Sequence, residues 1–427
     1  QIADTFTAFT AWQQKPDTEE ALASLPKLAL SEINPEPVLM ATQEDACQGV
    51  TVLRHKAGCN GIVNINGYFR LTDRSLEELT QLSLLSKLFG NLPTAAHTAE
   101  QLQNEVKTWL GDLGFGIDCV SKMGDNEQCT PMLTFHCSVL QENLHKAEEL
   151  IYEILTSTDF SQHDRIKEIL LQTETEQQQR GMMAGHMLAF KAALAQFSAG
   201  SAVQEATSGI TYTQWLHSLS KNFDAQIGAF TALVNSSLSA AVCRSRLVLG
   251  ITEEGHTDPA AFLAMLPQGE AAPEKAPYQT KLPKKLGIRI PAQVSYAATG
   301  FHLSQLGKQY DGSARLLSNI LSLAHLWNEI RVQGGAYGCG LRIGRAIALA
   351  YSYRDPTPAR SLAMYREAAD FLRAFVESIQ NQTEAPIDVY DAATWMAVSV
   401  LVEESLALGG QPVFVPDFTG GKWLRRG

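Results

Sequence analysis

At 427 residues the chain is longer than one hydrophobic core usually supports, so two domains are the default expectation. Its composition, 45% hydrophobic and 19% charged, is that of a globular protein and excludes disorder over most of its length. The 34 basic against 45 acidic residues, a net charge of −11, argue against nucleic acid or an anionic membrane as partner and suit a basic or neutral one.

Seven cysteines in an odd total with no CxxC pair point away from a disulfide framework and toward a reducing compartment such as the cytoplasm. No apolar run approaches a membrane span. The lack of an initiating methionine and of a signal-like start leads us to expect a piece of a longer protein.

The opening, TFTAFTAWQQKPDTEEALASLPKLALSEI, predicts a short amphipathic piece and then a helix after Pro16, with Asp17, Glu19 and Glu20 at its positive end. It reads as a hinge or connector through residue 49. From Val50, VTVLRH and GIVNINGYFRL alternate apolar and polar positions, the period of strands. SLEELTQLSLLSKLFG then carries leucines at helical spacing and closes on Gly90, a C-cap residue. TAEQLQNEVKTWLGDLG predicts a second helix capped by Thr98, and FGIDCVSKM and PMLTFHCSVL return to strands. Helical patterns fill most of the region from Glu142 to about Ser239, after which SRLVLGIT reads as an edge or closing strand.

The segment LPQGEAAPEKAPYQTKLPKKLG is rich in proline and charge and reads as a linker. Beyond it the first pattern returns. VSYAATGFHL matches GIVNINGYFRL in place, DGSARLLSNILSLAHLWNEI matches the leucine-rich helix, and AYGCGLRIG follows as FGIDCVSKM does. RDPTPARSLAMYREAADFLRAFVESI predicts a further long helix. The order implies two homologous α+β halves. We expect a connector over 1–49, a first domain over 50–265, a linker over 266–286 and a second domain over 287–427.

Ten histidines invite a metal hypothesis, but the chain holds no HxxEH, HExxH or HxH pair. His325 and Glu329 share a helix face without a third ligand, which marks a polar surface. His186, among methionines and alanines on a helix, reads as a partly buried, satisfied histidine. No GxSxG elbow, cysteine signature or phosphate cradle appears. HLWNEIRVQGGAYGCGL is different. Gly334 and Gly335 after a helix suit a C-cap and a turn, yet a turn needs neither Arg331 in the last helical turn nor Tyr337 at the next strand. A guanidinium can hold a carbonyl or carboxylate, and a phenol can hydrogen-bond an oxyanion or a peptide oxygen. Bare glycines beside them would let a substrate backbone approach.

LWNEIRVQGGAYG resembles the carboxy-terminal half of the insulinase-like, or pitrilysin, zinc metallopeptidases, most closely the presequence protease branch. GMMAGHMLAFKAALAQFSAGSAVQEATSGITYTQWL and SYRDPTPARSLAMYREAADFL carry the same likeness, which runs to about Phe375 and ends after about Ala385, so the last domain is expected to be truncated or altered. The resemblance implies four related α+β domains in two halves joined by a helical hinge, here the segment before Val50. This chain would then supply the third and fourth domains, each a mostly antiparallel sheet packed with helices. It implies zinc on an HxxEH motif in an amino-terminal half, none in this chain, and a substrate-touching role for Arg331 and Tyr337 beside Gly334 and Gly335. The implied partners are a peptide or unfolded polypeptide substrate and the zinc-bearing half, with no nucleic acid and no membrane. The alternative is a non-catalytic structural or processing subunit of the same fold that binds a protein partner.

Overall fold

The computed structural model describes residues 39–122, 125–273, 278–303, 312–344 and 347–366, with residues 18–24 and 29–34, Thr5, Glu36 and Tyr310. Contacts divide the chain into two units, 1–42 and 43–427. The first holds helix α1 (Glu19–Ala23), with Glu19 and Glu20 in its first turn where helix amides favour negative charge, and a 3-10 turn at Leu30–Glu32. Residues 1–4, 6–17 and 25–28 of the expected connector lie outside the described residues.

In the second unit, strands β1 (Thr42–Cys47), β2 (Val50–Lys56), β3 (Ile62–Arg70), β4 (Leu110–Ser121), β5 (Cys129–Leu140) and β6 (Leu247–Glu253) form one sheet in the order β1-β2-β6-β3-β5-β4. Only apolar positions of β3 alternate cleanly, Val63, Ile65 and Phe69 being buried. Helices α2 (Leu76–Leu82), α3 (Leu85–Leu88) and α4 (Ala99–Trp109) follow β3. Helices α5 (Leu144–Ser157), α6 (His163–Leu194), α7 (Ala199–Ser208), α8 (Ile210–Lys221) and α9 (Phe223–Ala241) fill the stretch between β5 and β6, and α10 (Ala260–Met265) comes after β6. Ser75 and Glu78 form a capping box on α2, and Thr98 and Gln101 form one on α4, so two orphan amides at each helix start are satisfied locally.

The second sheet is smaller: β7 (Ser295–His302), β8 (Gly338–Ile343) and β9 (Ile347–Asp355) in the antiparallel order β7-β9-β8. That order repeats β3-β5-β4, the middle strand again being the last in sequence. Helix α11 (Gly312–Ile320) runs directly into a π-helix, Leu321–Val332, and a further helix covers 358–366. The rest of the long helix read from RDPTPARSLAMYREAADFLRAFVESI, and the tail, lie outside the described residues.

Four sequence expectations change. The leucine-rich helix is two short ones, with Ser83 between them donating Oγ–H back to the Leu79 carbonyl at 2.8 Å, a bond that competes with the helical ladder. The helix read through Gly114 stops at Trp109. Gly111 and Gly114 are poor helix formers, and a Cβ on Gly114 would stand 2.3 Å from the His136 ring, so that glycine serves strand pairing. SRLVLGIT is not an edge: β6 lies between β2, to which it is parallel, and β3, and it is largely buried, as its near-continuous apolar run suits. β1, inside the expected connector, is a polar and mostly exposed edge strand with no alternation to betray it.

Helix α6 links the sheets. Its first part buries Ile166, Ile169 and Leu170 in the core of the six-stranded sheet. Ala184 departs from helical geometry (φ −135°, ψ 38°), and beyond this kink the helix lies on the second sheet. Tyr296 Oη donates to the Met182 carbonyl at 2.6 Å, a side chain inserted at the ladder beside the kink. A Cβ on Gly185 would meet the Tyr296 ring at 2.5 Å, so the closeness of helix and sheet depends on that glycine. His186 packs against Phe190, Tyr296 and Tyr353. It is not satisfied as the sequence suggested: its buried Nδ1 has no hydrogen-bond partner, because aromatic rings surround it. Burial, with Arg342 nearby, lowers its pKa.

Candidate functional site

The site is built where the π-helix ends. Side chains of that region are tied to the backbone of β8. Ser318 Oγ donates to the Leu341 carbonyl at 2.6 Å, the Leu341 amide donates to Ser322 Oγ at 2.9 Å, and Cys339 Sγ donates to the Leu326 carbonyl at 3.1 Å. Burial pushes the Cys339 thiol up to about 11, so it remains a protonated donor and not a nucleophile. The helix closes with the Gly335 amide on the Arg331 carbonyl (3.0 Å) and the Ala336 amide on the Ile330 carbonyl (3.1 Å). Both bonds reach one residue further back than in the usual glycine cap, as the wider π register demands. Gly335 sits at φ +77°, where a side chain would be strained, and a Cβ on Gly334 would stand 2.5 Å from the Ile330 carbonyl.

Arg331 and Tyr337 are brought together by this turn. The Arg331 Nε donates to the Tyr337 carbonyl at 2.9 Å, and its guanidinium stacks over the Trp327 ring at 4.3 Å. The fork is therefore steadied on one side while its terminal nitrogens have no hydrogen-bond partner among the described residues. The Tyr337 amide is shared between the Tyr353 and Arg354 carbonyls (3.2 and 3.3 Å). Its ring leans on Tyr353, with centroids 5.5 Å apart, yet the residue is 59% exposed. Arg331, Val332, Gly335, Ala336, Tyr337 and Arg354 line one open depression. Such a surface can hold a peptide oxygen or a carboxylate with charged and phenolic donors.

Sequence reasoning missed Arg354, Tyr353 and Trp327. Trp327 stands four residues before Arg331, a helical neighbour spacing that signals the stack. Arg354 arrives from β9, and only the pairing of β8 with β9 brings it here. His325 is exposed, and Glu329 is engaged by Arg360 (3.1 Å) and Gln333 (3.2 Å). Among the described residues no three His, Cys, Asp or Glu side chains come together as a metal site, so these residues do not fit the zinc ion that the resemblance implies. Nor is any helix among them long and apolar enough to cross a membrane.

The family model for the peptidase M16 subfamily C associated region matches residues 1–219, half of the 427-residue chain. The chain belongs to this peptidase-associated family. Residues 285–387 also match the PreP C-terminal domain, and residues 368–425 match a glycosyl hydrolase 109 C-terminal domain, a stretch that lies outside the described residues. The chain is 26% identical over 391 residues to Protein HypA of Clostridium perfringens, covering 90% of this chain and 40% of that protein. It is 26% identical over 384 residues to presequence protease 1, chloroplastic/mitochondrial, of Arabidopsis thaliana, covering 88% and 35%. The chain thus spans two fifths or less of the length of these relatives. Among solved structures, the peptidase M16 inactive domain from Pseudomonas fluorescens aligns with a TM-score of 0.54 at 15% identity over 87% of this chain and 88% of that one. A conserved protein from Enterococcus faecalis aligns at 0.53 and 14% over 90% and 87%. These two likenesses share the fold described above. The chain is a carboxy-terminal half of the insulinase-family kind, on the presequence protease branch.

Proposed function

We propose that this family member is the substrate-binding, zinc-free half of a zinc-dependent oligopeptidase that degrades peptides inside a closed two-half chamber. The observation that carries the reading is the pair Arg331 and Tyr337, fixed by the glycine turn and presented with free donor atoms on an open depression. Arg331 holds a substrate carbonyl, and the Tyr337 hydroxyl adds a donor that strengthens as that oxygen gains negative charge. Zinc and the base that activates water belong, on this reading, to the amino-terminal half, and the peptide or unfolded segment binds between the halves. A purely structural subunit that docks a protein partner would have no use for an exposed arginine and tyrosine aimed at the same rim.

The test is steady-state kinetics on a peptide substrate with the full-length protein, alongside zinc content and thermal unfolding. Tyr337→Phe keeps the ring and removes the hydroxyl, so kcat falls about 10²–10³-fold. Arg331→Lys keeps the charge and loses the planar fork, so KM rises as well. Zinc content and Tm stay as in the parent. Near-normal kcat/KM in both variants would leave RVQGGAYG as a turn only and favour the structural subunit.

A further inference from the structure

Arg354 carries a second reading of the same depression. It occupies φ +48°, a left-handed backbone that costs a bulky residue energy and persists only where its surroundings hold it. Asp355, fully buried, does so: its carboxylate accepts from Ser352 Oγ at 2.5 Å and from the Thr357 amide at 2.7 Å. The Tyr337 amide grips the Arg354 carbonyl from the other side. The result sets the Arg354 guanidinium over the Tyr337 ring, 5.6 Å from its centroid. Tyr337 thus has Arg331 bonded to its carbonyl and Arg354 against its ring, and all three line one open depression.

Neither arginine has an acidic partner among the described residues. The carboxylates that could serve are engaged: Glu329 by Arg360 and Gln333, and Asp355 by its own turn. Two uncompensated guanidiniums on a chain of net charge −11 make a local reversal of sign. Guanidinium forks bind carboxylates with charge-assisted, geometrically selective hydrogen bonds.

We infer that Arg354, with Arg331, forms a carboxylate-binding subsite beside Tyr337 that selects peptides presenting a carboxylate there. This deepens the proposed function and rests on it. The carboxylate can come from an aspartate or glutamate side chain of the peptide or from its free C-terminus.

The experiment uses the full-length protein and two matched pairs of quenched fluorescent peptides, one pair differing as Glu or Gln near the cleaved bond, the other as free carboxylate or amide at the C-terminus. The parent protein prefers the carboxylate member of one pair by about tenfold or more in kcat/KM, and which pair responds names the source. Arg354→Gln brings that ratio close to one, and Arg354→Lys, with charge but no fork, recovers part of it. Ratios near one in both pairs for the parent protein, or an unchanged ratio in Arg354→Gln, overturn the subsite. If the parent cleaves the peptides and Tyr337→Phe impairs it while the ratios stay at one, the proposed function stands and the subsite alone falls. If the parent cleaves none of them, both fall.

Discussion

Gly67 faces Phe135 across β3 and β5, and Gly338 faces Tyr353 across β8 and β9. In both, a Cβ on the glycine would collide with the ring, at 1.9 Å and 2.3 Å, so each ring lies over a bare stretch of neighbouring backbone. What rests on the far side differs. Phe135 is 1% exposed and meets Phe69 and Phe262 inside the large core, whereas Tyr353, half-buried, rests between His186 and the exposed Tyr337. One cross-strand device fills a core in the first sheet and supports a surface site in the second. Repeated topology therefore says little about use; the layer above each ring decides it.

The contrast can be broken most easily at Phe135. Phe135→Ala is expected to cost about 3–5 kcal/mol by urea unfolding, since it empties the centre of the larger sheet. Tyr353→Ala is expected to cost about 1–2 kcal/mol while lowering kcat/KM on peptides in the full-length protein, because Tyr337 loses the ring it leans on. Equal stability losses at the two positions would erase the distinction. Gly90→Ala and Gly335→Ala sharpen it. Both glycines have positive φ, +74° and +77°, so each substitution costs about 1 kcal/mol, but only Gly335→Ala should alter peptide kinetics.

The smallest effect is confined to the first sheet. Glu148 lies with Phe135 beneath it, and burial first, then Asp258 and Glu149, push its carboxyl up to about 7 from an ordinary 4.5. A raised folded-state pKa gives stability that is fully present below about pH 4.5 and lost as pH climbs through about 7. Glu148→Gln should therefore raise Tm at pH 8 relative to the parent and leave it little changed at pH 4. Parallel Tm–pH curves for the two proteins would count against this burial.

Much of the fold was legible because its signals are local. The alternation of β3, the capping residues Thr98 and Gly90, and the repeated strand–helix–strand order all lie within short windows. β1 was hidden because an exposed polar edge strand has no pattern, and the interior place of β6 depends on partners nearly the whole first domain away. At the site, Arg331, Gly334, Gly335 and Tyr337 were readable as one stretch whose residues a turn alone does not need. Arg354 was not, since it enters through strand pairing and through a left-handed backbone that no arginine advertises. The unpartnered Nδ1 of His186 likewise follows from rings contributed by β7 and β9, not from its own helix.

The insertion of β6 between β2 and β3 bears on the order in which the chain can assemble. Thr51 pairs with Val248 and Tyr68 with that same residue, so a chain emerging from a ribosome holds both inner edges open until all five long helical segments have been made. Closing so large a loop is slow, and unpaired strand edges are where nascent chains aggregate. The three-stranded sheet has no such wait. Its strands are near neighbours in sequence, and α6, against which it rests, has already been synthesised. Pulse-labelled hydrogen exchange during refolding should accordingly find β2 amides protected later than those between β4 and β5; simultaneous protection would mean that the inserted strand is in place from the start.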